Sequence, residues 1–111
     1  MALLPNAENA FLDIRKLTDY LLDPLHPRGR HKARVFQAAL GIRASDATWL
    51  RDQILIAARK TEARFTFRDE FGERYEFDMT LVGLDRDVPI RTSWIVLHGE
   101  TFPRFVGCYV M

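Results

Sequence analysis

The chain is short of the features that staple, anchor or metallate small proteins. It has one cysteine, Cys108, in 111 residues. A single thiol closes no internal disulfide, so a disulfide framework is excluded and a reducing compartment is expected. Cys108 has no partner at metal-ligand spacing, and neither HExxH nor CxxC occurs, so no zinc site is expected. No run approaches the ~18–20 apolar residues of a membrane span, and the start Met1-Ala2-Leu3-Leu4-Pro5-Asn6 lacks the basic, then apolar, organisation of a secretion signal. The expected location is therefore the cytoplasm, or a target cell reached as part of a larger effector. Glycine and proline are sparse, at six and five residues. They build neither a low-complexity linker nor a phosphate-cradling loop, and there is no GxSxG. The formal net charge is only +1, so any electrostatic message lies in local clusters.

What is present is ordinary globular material, 48% hydrophobic and 28% charged, of a length that suits one domain over residues 1–111. Ile14, Leu17, Leu21 and Leu22 fall on one face at helical spacing. Asp13 is placed to cap that helix, and Asp23-Pro24 stops it. Ala33, Phe36, Ala39 and Leu40 predict a second helix over about 30–40, closed by Gly41. Trp49, Leu50, Ile54 and Ala57 or Ala58 predict a third, capped by Ser45 or Asp46 and reaching about Lys60. After Thr61 the period changes from 3.6 to 2. Ala63, Phe65 and Phe67 form one alternating strand, and Tyr75, Phe77, Met79 and Leu81 a second, joined by a hairpin loop over 69–73. Strands over 90–98 and 104–110 follow. The turns between them are too brief for crossover helices. The expected architecture is α+β, with three N-terminal helices (about 13–60) packed on a C-terminal four-stranded antiparallel meander (about 62–111). Its expected core holds Leu17, Leu21, Phe36, Leu50, Ile54, Phe77, Trp94 and Val96.

The most informative stretch is His26-Pro27-Arg28-Gly29-Arg30-His31-Lys32-Ala33-Arg34. It places a cluster of cations at the start of a helix, where the backbone dipole favours negative charge. Either an anion sits there with Arg28, Arg30, His31 and Lys32 around it, or the turn is solvated and balanced by Asp23 and Asp13. His31, between Arg30 and Lys32, is the residue singled out as a candidate general base. A second surface is expected on the third strand. There Arg91 and Ser93 share one face with Tyr109 of the next strand, while Thr92 and Trp94 share the other. Trp94 is expected in the core, because burying an indole stabilises more than any contact inferred for it.

Three stretches, Leu4-Pro5-Asn6-Ala7-Glu8-Asn9-Ala10, Lys16-Leu17-Thr18-Asp19-Tyr20-Leu21-Leu22 and His26 through Phe36, resemble a family of small bacterial domains of unknown function. The layout is in turn similar to toxin-associated nuclease domains of the barnase–EndoU–colicin–RelE-like (BECR) group, which are metal-independent ribonucleases. The resemblance implies a BECR-like fold whose cleft is lined by His31 and Lys32 and completed by Arg91, Ser93 or Thr92, and Tyr109. One departure stands out: the final strand reads Val106-Gly107-Cys108-Tyr109-Val110, with Gly107 where relatives carry a hydroxyl.

The expected activity is that of a toxin-like endoribonuclease, a hydrolase that uses the RNA 2′-hydroxyl as nucleophile and needs no metal or other cofactor. His31 is assigned as acid or base, Lys32 and Arg91 as charge stabilisers, and Tyr109 as a phosphate-positioning group or second acid. Arg28, Arg30, Ser93 and Thr92 are assigned to phosphate or RNA binding. The expected partners are RNA or another phosphate-bearing ligand and a cognate antitoxin or immunity protein, with no membrane. The alternative is a catalytically inactive phosphate- or RNA-binding module, or an immunity-type protein-interaction module, of the same fold.

Overall fold

The alternation that begins after Thr61 becomes a four-stranded antiparallel sheet in the computed structural model, which describes residues 2–111. Strands β1 (Arg64–Arg68), β2 (Gly72–Val82), β3 (Asp87–Leu97) and β4 (Arg104–Val110) lie side by side in chain order, the meander expected from the short turns. β3 begins at Asp87, earlier than Ile90, because its pairing with β2 continues out to Val82↔Asp87. Register decides which side chains reach the core. Phe77 lies opposite Thr92, and Thr92 opposite Cys108, so all three face the helices and are buried. Trp94 is buried on the same face, stacked on Phe77 at 5.9 Å and edge-on to Phe105 at 5.4 Å. Its indole N–H donates to Thr92 Oγ1 at 2.9 Å, and that hydroxyl donates to the Phe77 carbonyl at 3.0 Å. Val96, expected in the core, is only half-buried.

Two α-helices cover this face. Helix α1 (Arg30–Leu40) buries Ala33, Phe36 and Leu40, and ends at Gly41, whose φ of 72° is the left-handed conformation expected of its position. Helix α2 (Ala47–Ala58) follows a 3₁₀ turn at Ala44–Asp46 and buries Leu50, Ile54, Ala57 and Ala58. The Asp46 carboxylate accepts the Arg43 N–H at 2.9 Å and so closes the 3₁₀ turn, while α2 itself, expected to be capped by Ser45 or Asp46, starts from Asp46 with no side-chain cap bond. Lys60 lies beyond this helix, in a turn.

The first expected α-helix, over 13–22, is replaced by a π-helical turn at Leu17–Leu21. Asp13 Oδ1 does accept the Arg15 N–H at 3.0 Å, as a cap would. The turn then widens, and Leu22 N–H bonds the Leu17 carbonyl at 2.8 Å, five residues back. The wider turn lets Leu17, Leu21 and Leu22 all bury, which a 3.6-residue turn does less well for adjacent residues about 100° apart. Ahead of it, a 3₁₀ turn at Ala7–Asn9 leads to Phe11. Phe11 pairs in parallel with Arg104 through Phe11 N–H to the Pro103 carbonyl and Phe105 N–H to the Phe11 carbonyl, both 2.9 Å. The chain thus touches the outer edge of β4 once and leaves it.

Candidate functional site

Because the chain leaves that edge at Leu12, a cleft of about 720 Å³ opens between β4 and the turn at Leu17–Leu21. One wall is the unbroken run Phe105 to Tyr109. The other carries Asp13, Arg15, Lys16, Asp19 and Tyr20, with Lys32 from α1 and Ser93 from β3 closing the ends. Three cations and two carboxylates therefore face one concavity.

The polar groups around it are not equally free. Arg15 pairs with Asp13 at 2.6 Å, and that hydrogen bond holds the Asp13 carboxyl down to about 2. Asp19 accepts from the Thr18 hydroxyl at 2.9 Å. Lys16, Lys32 and Asp19 make no ion pair within 4 Å among the described residues. Cys108 contributes to the wall, but its side chain is buried, and that burial pushes its thiol up to about 12, opposed only by the Lys32 charge. The thiol is no nucleophile there.

The sequence-assigned residues divide into three groups. Lys32, Ser93 and Tyr109 are brought together in the cleft. Gly107 lies opposite Ser93, and a Cβ added there would enter open space, meeting nothing within 4 Å.

Arg91 lies beside the cleft, next to Tyr109 across the strands. Its guanidinium is gripped by Asp78 at 2.8 and 3.1 Å. That contact, and next the Tyr109 hydroxyl, hold it firmly charged. Asp78 in turn is kept below the usual carboxylate range, first by Arg91 and then by Arg64.

Arg28, Arg30, His31 and Thr92 do not reach the cleft. His31 and Arg30 are exposed on α1, since consecutive helical residues point about 100° apart and the stripe holding Phe36 takes Lys32 with it. Thr92 is fully buried, with its hydroxyl engaged by Trp94 and Phe77, so its assignment to phosphate is corrected: it is a core hydrogen-bond hub.

The amides at the start of α1 have an unexpected partner. His26 Nδ1 accepts the N–H groups of Arg28 at 3.0 Å and Gly29 at 2.9 Å, and the His26 carbonyl accepts Arg30 N–H at 3.0 Å. An imidazole thus serves the two amides just ahead of α1. The His26 ring also packs edge-on against Tyr20 at 4.7 Å. Gly29 is required by the same junction, since a Cβ there would lie 2.1 Å from the Tyr20 carbonyl oxygen.

Asp13, Lys16, Asp19 and Tyr20 were missed as site residues. For Lys16, Asp19 and Tyr20 the signal was present in the positions between the apolar residues of the Ile14–Leu22 pattern, whereas Asp13 was read only as a cap.

Fold and site together define a small α+β domain with a mixed-charge, tyrosine-lined cleft along a sheet edge. The chain belongs to a family of domains of unknown function (DUF6883), whose model matches residues 3–111. Comparison with curated proteins and with solved structures yields no match. No helix among the described residues is long and apolar enough to cross a membrane.

Proposed function

We propose that the domain is a toxin-like, metal-independent endoribonuclease of BECR type, with the β4 cleft as its active site. The observation that carries the reading is the convergence of Lys32, Ser93 and Tyr109, drawn from three separate elements, into one cleft with Lys16 and Asp19. RNA supplies its own nucleophile. The 2′-hydroxyl loses a proton and attacks the adjacent phosphorus, and the 5′-oxygen leaves with a proton, giving a 2′,3′-cyclic phosphate and a 5′-hydroxyl end. The protein must accept one proton, donate another and stabilise the phosphorane charge. Asp19 is the carboxylate in the cleft without a cationic partner and suits the base. Tyr109 suits the acid, and Lys32 and Lys16 suit the charge. Arg91, across the strands from Tyr109 and anchored on Asp78, suits a positioning role. His31 has no part in this arrangement because it lies outside the cleft.

RNA incubated with the purified domain in EDTA should yield 2′,3′-cyclic phosphate ends, and Lys32→Ala or Tyr109→Phe should lower the rate at least tenfold. RNA left intact from pH 5 to 9 refutes the reading. A second reading, a non-cleaving RNA-binding or immunity-type module, draws on the engagement of Arg91 by Asp78 and on the missing hydroxyl at Gly107. It is selected by salt-sensitive RNA binding without cleavage. The cytoplasm fits as setting under either reading, and a cognate antidote protein fits as partner under the first.

A further inference from the structure

We propose that the cleft accepts an unpaired, single-stranded RNA segment by stacking one base on Tyr20 while the flanking phosphates lie along Lys16 and Lys32. The proposal rests on the RNA reading above and names the form of RNA that the site selects. Three observations carry it.

Tyr20 is 38% exposed although it lines a cleft, and its ring packs against His26, which does not line the cleft, edge-on at 4.7 Å and 69°. That contact is itself fixed, because His26 Nδ1 is held by the Arg28 and Gly29 amides and the ring has no freedom to turn away. A tyrosine that is both exposed and immobilised loses little freedom when a flat ligand settles on it. The second observation is the company it keeps. Lys16 precedes Tyr20 by four residues on the same segment, Lys32 faces the same cleft, and exposed Tyr109 lies on the opposing β4 wall. Aromatic faces interleaved with cations form a platform for single strands, since every base has a π-face and every linkage a charge. The third is size. A cleft of about 720 Å³ has the volume of a small-molecule pocket. It admits a nucleotide or two, whereas a duplex is far larger and keeps its bases stacked on one another.

Fluorescence anisotropy in EDTA tests this with a labelled 2′-O-methyl RNA octamer, whose blocked hydroxyl prevents cleavage. Companion probes are the same octamer annealed to its complement and an octamer with abasic central positions. The parent should bind the single strand at least tenfold more tightly than the duplex. Tyr20→Ala should weaken single-strand binding by roughly five- to a hundredfold, the worth of one base stack. Tyr20→Phe, which keeps the ring, should stay within about twofold of the parent. The abasic probe should bind weakly and be indifferent to Tyr20→Ala. Equal affinity for duplex and single strand overturns the proposal while leaving the RNA reading standing, as does a Phe variant as weak as the Ala variant. Failure of the parent to bind any of the three probes overturns both. If Tyr20→Ala does not fold, the parent's ranking of the single-stranded, duplex and abasic probes still decides.

Discussion

Thr92→Val is the substitution that most sharply separates scaffold from site. The change keeps shape and removes only the hydroxyl, which accepts the Trp94 indole N–H at 2.9 Å and donates to the Phe77 carbonyl at 3.0 Å in a fully buried setting. The indole N–H is then stranded without water. An unmet buried donor costs ~1–3 kcal/mol, and the lost bond to Phe77 adds a smaller amount. The expected destabilisation is about 2–3 kcal/mol, or a fall in melting temperature of roughly 8–15 °C for a domain this size. Thr92→Ser keeps the hydroxyl and loses one buried methyl, worth about 1 kcal/mol. Urea unfolding of both variants, with Trp94→Phe added to close a double-mutant cycle, measures the coupling directly. A coupling energy of ~1 kcal/mol or more is expected between Thr92 and Trp94. The reasoning is refuted if Thr92→Val melts within a degree or two of the parent, or if Ser is as damaging as Val. Because Thr92 stands behind the sheet face, Thr92→Ser should also leave oligonucleotide affinity unchanged, which a phosphate ligand would not.

Two further outcomes are expected. Gly29→Ala should destabilise by about 1–3 kcal/mol, because its Cβ collides with the Tyr20 carbonyl, while Gly107→Ala should be neutral within about 0.5 kcal/mol, its Cβ entering open space; thermal melts of the pair reverse that order if the Gly29 junction is not tight. The carboxyls of Asp13, Glu73, Asp78 and Glu100 all lie below their ordinary values, chiefly through arginine hydrogen bonds. Their stabilisation is complete above the unfolded carboxylate range and is lost as pH falls through the folded values, so the melting temperature should drop between about pH 5 and pH 2. It should drop less steeply in Asp78→Asn, and a parent profile that is flat or rising below pH 4 contradicts the ion-pair assignments.

The sheet was the most legible part of the molecule, because a period of 2 in Tyr75–Leu81 has no helical counterpart and the short turns leave only a meander. The second helix was equally plain, with its Ala33–Phe36–Leu40 stripe and the left-handed Gly41. The segment over 13–22 was not, since the leucine spacing of Leu17, Leu21 and Leu22 suits either an α-helix or a wider turn. Only the need to bury both adjacent leucines decides between them. In the site, Lys32, Ser93 and Tyr109 were readable from charge and strand alternation. His31 and Lys32 are neighbours in sequence, and choosing between them required the helix phase relative to Phe36. The pairing of Phe11 with Arg104 leaves no local trace at all, yet it sets where the chain quits the β4 edge and so where the cleft begins.

That pairing also bears on when the domain becomes competent during its synthesis. One wall of the cleft is built from residues 13–21 and the other from residues 105–109, with nearly the whole fold between them. A nascent chain halted short of β4 has no such concavity, because the opposing wall does not yet exist. Closing so long a loop is entropically late by its nature. The cleft, and with it any ligand site it offers, is therefore complete only once the last strand has been added, as a property of chain order.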